Sequence, residues 1–241
     1  MYDYPYEYYN RKRAKRKAFF AKAIVLFSVF ALSAVAIVCV TAFSSEKAGF
    51  PDCVYLLAAE TSDAEEVSSK GGAGVVYESG GERYPLYACY YVRAEAESVA
   101  ARLRDAGESV SVLERGGGAL CFGGAAEKEA KNAVCAIVSA ALECSRALYS
   151  VANGLEKGEI SQAGAAAAVK ENAELVSSAF SRADAFKIVK KEKYRGFFSF
   201  GENFAAQTDD ALSGGLSAGE ARGLQAWLCV FYILSFEIFG K

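Results

Sequence analysis

The sequence predicts an α+β chain in three parts: a single transmembrane helix, a module with the element order β-α-β-β-α-β, and an α-helical domain. Three observations carry this. Residues 23–43 contain 21 consecutive uncharged, mostly apolar residues; residues 53–115 alternate strand-like runs with helix-periodic ones; beyond residue 125 apolar residues recur at helical spacing. With 241 residues, 53% hydrophobic and 23% charged, the chain is long and apolar enough to bury a core. Its charge is uneven. Residues 1–22 hold seven Lys or Arg and two acids, whereas residues 23–241 hold 20 basic and 27 acidic residues. There is no histidine, which excludes Ser-His-Asp and Cys-His catalysis, imidazole metal ligation and a histidine pH switch.

Residues 1–22 read as a cytoplasmic tail. MYDYPYEYY, with Tyr2, Tyr4, Tyr6, Tyr8 and Tyr9, is too short and polar to fold alone and reads as a disordered tail, a docking or phosphorylation segment being the functional alternative. Next come Arg11, Lys12, Arg13, Lys15, Arg16 and Lys17, which set membrane topology and touch anionic lipid rather than nucleic acid. Residues 23–43, AIVLFSVFALSAVAIVCVTAF, give a helix of roughly 30 Å, enough to cross the hydrocarbon core. The positive-inside rule leaves the N-terminus in the cytoplasm and makes the chain a single-pass protein of the cell membrane with its remaining domains extracytoplasmic. A signal cleaved after Ala42 is the rival reading, but the stretch exceeds the roughly 7–15 residues of a signal's apolar region.

Six cysteines (Cys53, Cys89, Cys121, Cys135, Cys144, Cys229) fall on the exported side. Cys135 and Cys144 lie nine residues apart on one predicted helix, on opposite faces, and no C-x-x-C pair occurs. They read as small buried hydrophobes rather than a disulfide framework, with no metal site and no cofactor.

Residues 44–52 form a linker. Val54 to Ala59 is an apolar run suited to a buried strand, and Ser62 with Glu65 has capping-box spacing for a short helix, stopped by GGAG. Val75 to Glu78 and Tyr84 to Val92 flank SGGER and read as a hairpin. In residues 93–106, Ala96, Val99, Ala100 and Leu103 make an amphipathic helix that ends at Gly107. Ser109 to Leu113 supplies the last strand. This order is a split βαβ arrangement, a four-stranded sheet with two helices on one face.

YPLYACYYVRAEAESVAARLRDAGESVSVLE, with VYLLAAETSDAEEVSS before it, resembles the SPOR (sporulation-related repeat) domain of bacterial envelope proteins, which has a ferredoxin-like βαββαβ fold. The resemblance covers residues 53–115. It implies an extracytoplasmic domain that binds peptidoglycan glycan strands lacking stem peptides, in a cell-envelope protein of cell division or sporulation. Sugar rings stack on flat aromatic faces beside planar hydrogen-bonding groups, and the hairpin holds Tyr77, Tyr84, Tyr87, Tyr90 and Tyr91 with Arg83 close by. A regular strand places Tyr87 and Tyr91 on one face and Tyr84 and Tyr90 on the other, one pair on the open side of the sheet.

GGGALCFGG, residues 116–124, reads as a hinge; it lacks the lysine and the order of a phosphate-binding loop. Residues 125–241 then form the helical domain. Val134, Ile137, Val138, Ala141, Leu142 and Leu148 line one helix, VANGLEKGEIS makes a turn, and Ser161 caps a second helix reaching about Lys190 with Val169, Ala173, Val176, Phe180 and Ala183 buried. KKEKYRGFFSFGENF reads as a basic and aromatic loop. Ser217 and Glu220 start a last helix whose residues 224–239 are apolar on nearly every side, suited to the middle of a bundle, to self-association or a protein partner, or to a second membrane segment. No spaced carboxylate pair supports catalysis, so a non-catalytic protein is expected. The alternative to glycan binding is a membrane-tethered interaction or scaffold protein whose module binds no glycan.

Overall fold

A computed structural model describes residues 45–240. The expected membrane span 23–43, the tyrosine-rich tail and the six basic topology residues lie outside the described residues. Residues 46–240 form one compact unit. Its elements are β1 (Glu46–Ala59), α1 (Ala64–Ser69), β2 (Val75–Ser79), β3 (Glu82–Tyr90), α2 (Arg93–Asp105), β4 (Val110–Phe122), α3 (Ala125–Lys157), α4 (Gln162–Ala183), α5 (Arg195–Ser213) and α6 (Ala218–Phe239). Two short 3-10 turns, Lys187–Lys190 and Glu192–Tyr194, join α4 to α5. The chain is mixed α and β, with a four-stranded antiparallel sheet in the order β2-β3-β1-β4.

The first helix starts at Asp63, whose side chain accepts from the backbone N–H groups of Glu65 and Glu66. On that side of the sheet α1 and α2 cover Leu57, Ala59, Tyr87 and Val110, with Val67 and Ala100 as the buried residues they contribute. The opposite face belongs to the main core. Val54, Leu56, Tyr77, Leu86 and Cys89 pack there with buried residues of α3 to α6. Helix α6 lies against β2, β3 and β4 on one side and α3 and α5 on the other.

Residues 46–52 of the expected linker and 116–122 of the expected hinge are strand. Glu46 to Phe50 pair with Gly118 to Phe122, so β1 and β4 extend past their neighbours as a two-stranded ribbon, and residues 116–124 lie within one unit rather than between two. Close approach explains the glycines. Gly116 (φ 76°) and Gly117 (φ 74°) adopt backbone that side chains disfavour, and a Cβ would lie 2.9 Å from Tyr232 Cε1 at the first and 2.8 Å from Cys53 Sγ at the second. Composition suggested flexibility; the glycines instead let a helix and a neighbouring strand sit on the backbone.

Helix boundaries also move. The expected turn VANGLEKGEIS is mostly helix, because Val151 and Ala152 continue the buried stripe of α3; the stop comes at Gly158 in the left-handed region (φ 67°). Helix α4 ends at Ala183 rather than near Lys190. The expected loop after it becomes α5, since Phe197, Gly201, Phe204, Thr208 and Ala211 recur at helical spacing and are all buried. Helices α3 and α6 are both long and apolar enough to cross a membrane, yet half or more of each apolar stretch is buried inside this unit.

At the start of α3, Glu127 accepts from the backbone N–H of Gly123 (3.0 Å) and Gly124 (3.1 Å) and from the Tyr194 hydroxyl. Partial burial opposes ionisation here, but these hydrogen bonds win and hold the carboxyl below its ordinary range. A depressed carboxyl stabilises the fold above its unfolded value and ceases to do so as pH falls through the folded value. Glu127→Gln is therefore expected to lower the melting temperature at neutral pH, with the gap to wild type closing below about pH 4, as thermal unfolding across pH will show. Gly116→Ala is expected to cost about 2 kcal/mol or more in denaturant unfolding, from the steric clash with Tyr232 and the positive φ.

Candidate functional site

Strand β3 carries the expected glycan-binding tyrosines, and one irregularity sorts them. Leu57 pairs with Ala88 while Ala58 pairs with Leu86, so Tyr87 is an extra residue opposite β1 and β3 bulges there. The bulge reverses the alternation beyond it. Tyr87 and Tyr90 share the α1–α2 face, whereas Tyr84 and Tyr91 share the face under α3–α6. The expected pairing of Tyr87 with Tyr91, and of Tyr84 with Tyr90, is thus corrected.

The face under α6 is packed rather than open. Tyr77 is 1% exposed, stacks on Tyr84 with ring centroids 6.0 Å apart, and donates to Glu237 Oε1 at 3.4 Å. Tyr84 is half-buried and bonds Glu82. Tyr91 donates to Ser145 Oγ (2.7 Å), which donates to the Leu142 carbonyl (2.7 Å). Gln225 Nε2 of α6 donates to the Cys89 carbonyl at 2.9 Å, tying that helix to β3. Burial pushes the Tyr91 phenol and the Cys89 thiol well above their ordinary values, so both stay neutral. Arg83 stands apart, exposed on the hairpin and paired with Glu78 at 3.1 Å.

Tyr87 and Tyr90 instead line a groove of about 740 Å³ between α2, the end of α1 and the C-terminal part of α3. Tyr149 and Asn153 of α3, Glu95, Ser98 and Arg102 of α2, and Arg222 of α6 complete its walls. Tyr149 packs edge-on against Tyr90 (6.0 Å) and donates to Glu95 Oε2 (3.0 Å). Tyr87 donates to Glu108, which also holds Lys70 at 2.9 Å. Burial pushes the Tyr90 phenol up to about 12, the nearby Arg222 and Arg102 acting against it. Its hydroxyl has no hydrogen-bond partner among the described residues, and Arg102 has no ion pair among them. Protonated phenols, a guanidinium and an amide give this groove groups that can stack on and hydrogen-bond a polar molecule. Sequence reading found Tyr87 and Tyr90 but missed Arg102 on the helix that follows them, and Tyr149, Asn153 and Arg222, which helices distant in sequence bring there.

The six described cysteines are free thiols, and no group of three or more Cys, Asp or Glu able to hold a metal occurs among the described residues. No family model, curated protein or solved structure matches this chain. Gln225→Met leaves the buried Cys89 carbonyl without its side-chain donor and is expected to cost about 1–3 kcal/mol in chemical denaturation, whereas Tyr90→Phe, which breaks no bond, is expected to change stability by less than about 0.5 kcal/mol.

Proposed function

We propose that this chain is a single-pass, membrane-tethered, non-catalytic protein of the cell envelope that works as an interaction or scaffold protein, its βαββαβ module binding no glycan through the sheet. Residues 23–43 are the anchor, the basic run before them keeps the N-terminus cytoplasmic, and the folded unit lies outside the cytoplasm. One observation carries the choice. The sheet face opposite α1 and α2, which a SPOR-like module would offer to glycan, is packed against the chain's own α6 and α3.

A second reading rests on the groove. Its three tyrosines with Arg102 and Asn153 have the composition of a carbohydrate site, so on this reading peptidoglycan binding uses Tyr87 and Tyr90 on the helix-covered face. Pull-down on cell-wall sacculi decides between the two. Equal recovery from amidase-treated and untreated wall, or no recovery, is expected for the scaffold; enrichment on denuded glycan that Tyr87→Ala or Tyr90→Ala abolishes would establish the glycan reading instead.

A further inference from the structure

The folded unit is acidic with one basic end. KIVKKEKYR, residues 187–195, holds five Lys or Arg and one acid, while the other residues of 45–240 hold 14 basic and 26 acidic. All five cations of the segment are exposed. Arg195 pairs with Glu192, but Lys187, Lys190 and Lys191 have no ion pair among the described residues.

The segment is fixed rather than loose. Ile188 and Tyr194 are buried, the Tyr194 ring stacks on Phe239 with centroids 5.2 Å apart, and its hydroxyl bonds Glu127. Like charges held at close quarters on a packed base repel one another, a cost that an anionic partner removes.

Its location identifies the partner. The same end carries the start of β1, because Glu46 pairs with Phe122 at the end of β4 and its carboxylate meets Lys131 of α3 at 3.1 Å. Lys193 and Tyr194 adjoin Cys121 and Gly123 there. Only Ser44 and Ser45 separate Glu46 from Phe43, the last residue of the apolar segment. Three residue steps reach at most about 10 Å, comparable to the Debye length near physiological salt.

We propose that residues 187–195, with Lys47 and Lys131, form a docking surface for the anionic phospholipid headgroups of the membrane that holds the anchor, fixing the unit on the bilayer by this end. The inference rests on residues 23–43 being that anchor. The full chain, reconstituted in phosphatidylcholine vesicles with and without roughly 30% phosphatidylglycerol, is treated with a water-soluble amine reagent and its lysines are read by mass spectrometry. Labelling of Lys187, Lys190 and Lys191 is expected to fall about threefold or more with the anionic lipid and to recover in about 0.5 M salt, while Lys157 and Lys170 stay unchanged. In the K187E/K190E/K191E variant, Lys47 and Lys193 are expected to lose that lipid-dependent protection. Equal labelling in both vesicles, or protection that soluble polyphosphate reproduces on the zwitterionic vesicles, overturns the lipid assignment. Alkaline carbonate extraction separates the premises: a chain released from the vesicles overturns the anchor and the docking surface together, whereas a retained chain with equal labelling overturns the docking surface alone.

Discussion

Helix α6 has too much apolar surface to lie on anything; it has to be surrounded. Leu228, Phe231, Tyr232 and Ile233 point to different sides of it and are all buried, each worth about 1.5–3 kcal/mol when removed from water. The sheet covers one side and α3 and α5 the other, so one helix determines both the arrangement of the bundle and the fate of the second sheet face. Its polar groups are answered locally or across the interface. Ser235 turns back to the Phe231 carbonyl, Gln225 reaches the Cys89 carbonyl, and Tyr232 donates to the Asp52 carbonyl. No buried side-chain nitrogen or oxygen among the described residues lacks a partner, as burial of polar groups requires.

Seating α6 constrains the sheet in turn. The Tyr232 ring lies against β4 where only a backbone without a Cβ leaves room, and its hydroxyl bonds β1 at Asp52, beside the register break between Phe50 and Cys53. Phe50 packs edge-on against Tyr232 and Phe236. The β1–β4 ribbon is therefore joined to the end of α6, and module and bundle become one unit instead of two domains on a hinge.

Periodicity made much of this legible. The buried stripes of α3 and α4, the cap of α6 and the order of the strands all follow from spacing and from Ser and Gly at the element ends, though the first helix is capped by Asp63 and not by Ser62. What misled was composition read without tertiary context. Glycines 116 and 117 look like a hinge because nothing local reveals that Tyr232, more than a hundred residues from the first, and Cys53, against the second, require their missing side chains. A basic, aromatic run looks like a loop until Phe197, Phe204 and Ala211 are counted on one helical face. The bulge at Tyr87 leaves no mark in the sequence, yet it decides which tyrosines meet the groove, because a single inserted residue exchanges the two faces of everything beyond it.

Both surfaces with free polar groups are then set by the length of α3. Glu127, which holds the basic segment through Tyr194, and Asn153, which lines the groove, are 26 residues apart on one continuous helix. At about 1.5 Å per residue they are separated by roughly 40 Å. With the sheet face consumed by α6, the chain retains an electropositive end beside the start of β1 and an aromatic, hydrogen-bonding groove near the opposite end. On the proposed orientation the first lies on lipid and the second is held well beyond the Debye length of its charge. A partner in the groove would therefore be selected by stacking and by Arg102, not by the potential of the membrane, and a rigid α3 would fix how far from the bilayer it is held.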